Sequence, residues 1–210
     1  MKISFCIITD GKRIAKLEAL VASIQNQALD SEIVICGDLG EMIRFPGVIY
    51  VAELVGARDG ILGLMRNRGV RATSGEIVVV CDDDMLFRSG FVEGILDAYP
   101  FDILCVRMEN PDGSRYWDWA TYGGSKGHVL LGYDEIDDDV YVTGGLCVAR
   151  REVLVDVGWD ESLVINHQED GEFSDRIKNG GYEIRVCPGV VAVHDDDRLT
   201  SEGFNHIVLK

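Results

Sequence analysis

The run Glu76-Ile77-Val78-Val79-Val80-Cys81 ends on Asp82, Asp83 and Asp84. A segment this apolar and this rich in β-branched side chains reads as a strand buried on both faces, the habit of a parallel sheet with helices on either side. It also sets three carboxylates at a strand's carboxyl end, where such sheets bind ligands. At ~5 Å and an effective dielectric near 20, each neighbouring ionised pair repels by roughly 3 kcal/mol. A cation, a raised pKa or full solvation must offset that. A bound divalent metal does so best, and a solvated acidic turn is the alternative. Because side chains alternate along a strand, Asp82 and Asp84 point the same way, an Asp-x-Asp pair facing one cleft, and Asp83 points opposite. Hard oxygen ligands of this kind suit magnesium or manganese shared with a phosphate.

The flanking sequence alternates as such a sheet requires. Ile3 to Ile8 reads as a strand, followed by a helix on which Ile14, Leu17, Leu20, Val21 and Ile24 share a face. Strands are expected over Glu32 to Cys36 and Val48 to Val51, then an amphipathic helix from Ile61 to Ala72 with Gly75 as a stop signal. The second half changes character. A helix over Phe91 to Tyr99 and a strand over Ile103 to Met108 precede Trp117 to Tyr122, Gly123-Gly124 and His128 to Leu131, which read as a hairpin with an aromatic face. Tyr141 to Ala149 reads as one strand interrupted by Gly144-Gly145, and Arg151 to Val157 as a helix. A further helix follows Glu169-Asp170 and stops at Gly180-Gly181, and two short strands, Glu183 to Cys187 and Val190 to Val193, close the sheet. The expected fold is a single α/β domain over 1–210, with a Rossmann-like, mostly parallel sheet. Asp10, Asp38 and the aspartate cluster all fall at strand ends.

Charge narrows the partners. A formal net charge of -16 repels nucleic-acid backbones and anionic membranes, so an anionic substrate must be received locally, by metal and a few arginines. The six cysteines lie in or beside apolar strands with no Cys-x-x-Cys spacing, as reduced core residues do. No apolar run reaches membrane-spanning length and the first residues lack a signal-peptide pattern, so a soluble cytoplasmic protein is expected, with an extracellular, disulfide-linked one as the alternative.

Four stretches, taken in order and spacing, resemble the GT-A glycosyltransferases and most closely their family 2 group. They are the first strand with Asp38 after the second; Arg66-Asn67-Arg68-Gly69 through Gly75-Glu76 to the aspartate cluster; Thr143-Gly144-Gly145 through Arg150-Arg151-Glu152 to Gly158-Trp159-Asp160-Glu161; and Glu169-Asp170 through Arg176 and Gly180-Gly181-Tyr182 to Pro188 and His194. The resemblance implies a GT-A domain whose residues 1–100 bind a nucleotide sugar, and whose residues 101–210 bind the acceptor and carry the base. A sugar would move from a nucleoside diphosphate to an acceptor hydroxyl, with inversion since Asp170 stands as a separate base. Asp84 and His194 would hold manganese or magnesium, which stabilises the departing diphosphate. Asp82 and Asp83, with Thr9, Asp10, Asp38 and Arg66, would bind the nucleotide. Trp117, Trp119, Gly144, Gly145 and Glu169 would meet the acceptor or donor sugar.

The chain departs from the family where Gly37 replaces the first of two acids and where Gly171 follows Glu169-Asp170 in place of an apolar residue. It also lacks the Gln-x-x-Arg-Trp motif of processive synthases, so a polymerising synthase is not expected. Simpler readings stand beside these. Asp170 can merely complement a helix dipole, His194 can pair with an exposed acid among Asp195 to Asp197, Trp117 and Trp119 can be hairpin core, and Asp137 to Asp139 can be a solvated loop. Two other functions also compete. A sugar-phosphate nucleotidyltransferase needs a Gly-rich basic loop after the first strand, where only Gly11-Lys12-Arg13 stands. The other is a non-catalytic module binding nucleotide sugar, or carbohydrate through calcium.

Overall fold

The computed structural model describes residues 1–27, 29, 31–40, 44–123, 126–165 and 168–195. The apolar runs become β1 (Ile3–Thr9), β2 (Glu32–Gly37), β3 (Val48–Ala52) and β4 (Ile77–Asp82). They pair in parallel in the order β3-β2-β1-β4. Helices α1 (Ile14–Gln25), α2 (Leu54–Asp59) and α3 (Leu62–Ala72) connect or cover these strands. Beyond β4 come β5 (Met85–Phe87), α4 (Phe91–Ala98) and β6 (Ile103–Glu109), then β7 (Trp119–Thr121), β8 (Val129–Leu130), β9 (Val140–Val142) and β10 (Leu146–Arg150). The chain continues through α5 (Arg151–Val157), α6 (Glu169–Asn179) and β11 (Ile184–His194).

One sheet of eight strands runs β3-β2-β1-β4-β10-β6-β11-β5. Strand β10 is antiparallel to both β4 and β6, and β11 is parallel to β6. Two reversals restore direction, so β11 ends on the same edge of the sheet as β1, β2 and β4. His194 is thereby carried to the edge that holds Asp82. Phe5, Leu17, Leu20 and Ile95 fill one side of the sheet, and Val78, Trp159, Phe173 and Ile177 the other, all essentially removed from water.

Three expectations about strands are corrected. Tyr141 to Ala149 is not one strand: β9 joins a small sheet, β8-β7-β9, while β10 joins the large one, the switch falling at Thr143 to Gly145. The closing segment is a single strand whose register slips between Cys187 and Val191, where Pro188 lacks a ladder donor. The hairpin of β7 and β8 gains β9 as a third strand, and Gly124 in its turn lies outside the described residues. The short helix α2 had no periodic signature. All six cysteines are free thiols, Cys187 half-buried and the rest buried, and burial pushes the thiols of Cys6, Cys36, Cys81, Cys105 and Cys147 up.

Gly37 ends β2 with φ of 149°, and a Cβ there would lie 1.8 Å from the Thr9 carbonyl oxygen. Any side chain would therefore push β1 and β2 apart at the mouth of the sheet, which accounts for the missing acid. Gly37→Ala is expected to destabilise the fold by about 2–4 kcal/mol. Urea denaturation checks this, and a loss under about 0.5 kcal/mol would contradict it.

Candidate active site

The site begins with Arg66. It sits mid-helix in α3 and is 2% exposed, so its guanidinium must find partners inside the protein. One nitrogen donates to the Gly144 carbonyl at 2.8 Å and lies 3.8 Å from Asp82 Oδ1; the other is 3.3 Å from Asp170 Oδ1. The guanidinium carbon stands 5.7 Å from the Trp159 ring centre, and that ring stacks on Phe173 of α6 at 4.2 Å. Asn67 fixes the helix against this wall, exchanging hydrogen bonds of 2.8 and 2.9 Å with the Trp159 backbone. Two of the four stretches that carry the resemblance, at Arg66-Asn67 and at Gly158-Trp159, are thus halves of one clamp.

Asp170 occupies the second position of α6, after Gln168, whose φ of 64° makes it the one left-handed non-glycine among the described residues. Its carboxylate takes the room that Gly144 leaves: a Cβ on Gly144 would lie 2.5 Å from Asp170 Oδ2. Gly145 similarly borders the His194 ring, at 3.5 Å from where its Cβ would be. The protein's own site groups, Asp170 and His194, border these two glycines. Burial pushes the Asp170 carboxyl up, to about 6, against the pull of Arg66 and with Glu169 adding to the rise. Gly171 is explained too, since its Cβ would lie 2.8 Å from the Tyr122 ring.

The aspartate cluster departs from strand alternation. Strand β4 stops at Asp82 and the chain turns at Asp83-Asp84, so Asp83 and Asp84 both meet one cation while Asp82 looks toward Arg66. That cation is Arg13, 2.6 Å from Asp83 Oδ1 and paired also with Asp84 Oδ2. Thr9 Oγ1 donates to Asp83 Oδ2 at 2.5 Å. Asp83 and Asp84 are 0% and 2% exposed, which removes the solvated-turn alternative. Burial pushes Asp82 up, to about 7, with Arg66 opposing and Asp84 and Asp83 reinforcing it. A guanidinium, where a metal was expected, supplies part of the neutralising charge. The sequence pointed only to Lys12-Arg13 as a basic pair just past the strand.

His194 Nε2 lies 3.7 Å from Asp84 Oδ1, and its ring stacks on Tyr116 at 4.2 Å. Asp195, its neighbour, donates its backbone N–H to the Asp84 carbonyl at 2.7 Å; Asp196 and Asp197 lie outside the described residues. Oδ1 of Asp82 and of Asp84 are buried and accept no hydrogen bond among the described residues. These oxygens and the imidazole suit a hard divalent cation. Yet no three His, Cys, Asp or Glu side chains among the described residues converge closely enough to cage an ion, so any metal must take further ligands from substrate or water.

Nucleotide-side residues line the neighbouring strand ends. Asp38, half-buried after β2, accepts from the Gly40 N–H at 3.0 Å, and Gly11 packs where a Cβ would meet the Asp38 carbonyl at 2.4 Å. Asp10 holds Lys12 at 2.8 Å. With Lys12 and Arg13 both engaged by acids, no free basic loop follows β1, which weighs against a nucleotidyltransferase. Arg66, expected to face the nucleotide, lies between Asp82 and Asp170. Trp119 is core, 1% exposed with its indole N–H donating to the Glu135 carbonyl at 2.9 Å, because it lies in β7 while Trp117 precedes the strand. Trp117 joins a separate group with Tyr122, Tyr141 and exposed His128, whose ring is 4.8 Å from Tyr122. Sequence reading missed Tyr122 and His128, which had no motif to mark them.

No family model matches the chain. It is 33% identical over 127 residues to a protein of Bacillus subtilis (strain 168) named uncharacterized glycosyltransferase YwdF, covering 55% of this chain and 47% of that one. The chain thus spans about half the length of that curated relative. Among solved structures, residues 1–349 of S. aureus TarS superpose with a TM-score of 0.63 at 17% identity, covering 93% of this chain and 60% of that fragment. The structure titled GalNAc-T7 with UDP, GalNAc and Mn2+ gives 0.70 at 16% identity, covering 93% and 44%. The fold is that of the GT-A glycosyltransferases.

Asp170 also leaves a mark on stability. Its folded-state pKa of about 6 lies above the unfolded value of about 4, so the folded protein loses stability as pH rises through that window. Asp170→Asn is therefore expected to lose that pH dependence, so that its stability relative to the parent rises by about 1–3 kcal/mol between pH 4 and pH 8. Urea denaturation at both pH values decides it; a variant–parent difference that is the same at pH 4 and pH 8 would contradict the raised carboxyl.

Proposed function

We propose that the chain is a metal-dependent glycosyltransferase that moves a sugar from a nucleoside-diphosphate sugar to an acceptor hydroxyl, with inversion. One observation carries this reading: Asp170, a half-buried carboxyl raised toward neutrality, shares Arg66 with Asp82 at the sheet edge where α/β folds bind ligands. The likeness to a named glycosyltransferase and to GT-A structures supports it. So do the names of neighbours solved with donor ligands, among them TarS with UDP-GlcNAc. Residues 1–100 and 101–210 then act as one domain, the first holding the donor and the second the acceptor and the base.

In this reading Asp38, Thr9 and Asp10 hold the base and ribose, and Asp82 approaches the ribose while Asp83 anchors the turn. Asp84 and His194 would hold manganese or magnesium. When bound, it stabilises charge growing on the leaving diphosphate. Asp170 takes the proton from the acceptor hydroxyl as that oxygen attacks the sugar's anomeric carbon; its pKa near 6 leaves it ionised at neutral pH yet basic enough to work. Arg66 keeps the carboxylate aimed. Trp117, Tyr122 and His128 offer flat faces to the C–H faces of an acceptor sugar, and Glu169 a hydrogen-bond acceptor beside them. No helix among the described residues is long and apolar enough to cross a membrane, and the free thiols suit a reducing cytoplasm.

The test is release of nucleoside diphosphate from a panel of nucleotide sugars, with manganese and an acceptor library. Turnover is expected with one donor, and Asp170→Asn should lower kcat by about 10²–10⁴. The rate should fall as pH drops below about 6, because the protonated carboxyl cannot accept the acceptor's proton. Turnover in Asp170→Asn equal to the parent, or an acid-insensitive rate, would overturn the assignment.

A further inference from the structure

Arg13 differs from the other cations of the site. Arg66 is sealed in, with 3% of its side chain exposed, whereas Arg13 keeps 38%. Lys12 turns to Asp10. Arg13 sits immediately before α1, and its side chain makes no capping bond; among the described residues its guanidinium pairs with the acidic turn. There it spans Asp83 Oδ1, at 2.6 Å, and Asp84 Oδ2. The opposite oxygen of Asp84 faces His194 Nε2 at 3.7 Å. A divalent ion on that side and the guanidinium on this one would share a single carboxylate, and like charges that close repel strongly where water is scarce.

We propose that Arg13 sets the metal affinity of the site: it competes with a divalent cation for Asp84, and the cation's arrival loosens the guanidinium and frees it for an anionic diphosphate. The proposal rests on the reading of Asp84 and His194 as metal ligands. The local bonding favours such an exchange. When Arg13 leaves, Asp83 keeps its 2.5 Å hydrogen bond from Thr9 on Oδ2, and the arriving cation supplies the positive charge that the buried Oδ1 loses. The loop itself stays pinned, because Gly11 packs on the Asp38 carbonyl, and only the side chain needs to move. With a net charge of -16 on the chain, an internal counter-charge also gives the acidic turn a partner that a diphosphate can later recruit.

The experiment is calorimetric titration of the full chain with manganese alone, comparing the parent with Arg13→Gln and Arg13→Lys. Arg13→Gln is expected to bind manganese about tenfold more tightly or better, and Arg13→Lys to fall between. With manganese saturating, a nucleoside diphosphate should bind Arg13→Gln several-fold more weakly than the parent. Unchanged or weaker manganese binding in a folded Arg13→Gln overturns the proposal. Should that variant fail to fold, the parent decides: its Arg13 side-chain N–H resonance should shift on magnesium titration with the midpoint of metal binding, and a resonance that stays put overturns the proposal. Tighter manganese binding in the variant, with no nucleoside diphosphate bound by either protein, leaves the role of Arg13 intact and removes the donor reading.

Discussion

A buried guanidinium is tolerable only when its charge is matched, and Arg66 is matched from two directions, by Asp82 at the end of β4 and by Asp170 at the start of α6. That pairing ties the first half of the chain to the second. It explains why α3 is clamped by Asn67 to the Trp159 backbone, why Trp159 stacks on Phe173, and why the Gly144 carbonyl turns inward to accept from the same guanidinium. Removing the arginine would leave Asp82 and Asp170 without their shared counter-charge. The fold therefore gathers its acids at one edge around two guanidiniums, an arrangement that is costly to build.

Glycines supply the geometry that the charges need. Gly37 lets β1 and β2 close at the Thr9 carbonyl, Gly144 lets the Asp170 carboxylate lie against the backbone, and Gly171 lets α6 pack on the Tyr122 ring. Each removes a Cβ where a functional group or strand mouth requires contact. The two family departures at Gly37 and Gly171 thus answer local sterics and leave the overall plan intact.

The main sheet was legible because buried parallel strands have few alternatives: the apolar runs that end at Ile8, Cys36 and Cys81 lie within β1, β2 and β4. Helices with an apolar stripe, such as α1, were equally plain. What failed was everything decided by through-space contacts. The period-two rule put Asp83 opposite Asp84, but it applies only inside a strand, and β4 stops at Asp82. The stretch from Tyr141 to Ala149 has one hydropathy pattern yet serves two sheets, because glycines permit a change of direction that hydropathy does not record. Trp117 and Trp119 look equivalent at a spacing of two, but only Trp119 is in β7 and under the core. Arg13 was recognised as basic and not as the partner of an acidic turn far along the chain, since ion pairs between distant segments leave no local pattern.

Taken together, the acids at the ends of β1, β2 and β4 and the histidine at the end of β11 form one charged edge, with Asp170 facing it across Arg66. The central claim is that this edge receives a divalent metal and a diphosphate together. The most direct measurement is anomalous diffraction at the manganese edge from crystals grown with manganese and a nucleoside diphosphate. The account predicts a peak within bonding distance of both Asp84 and His194 and of diphosphate oxygens. A nucleotide bound with its diphosphate away from Asp84, or a manganese peak elsewhere on the protein, would contradict it.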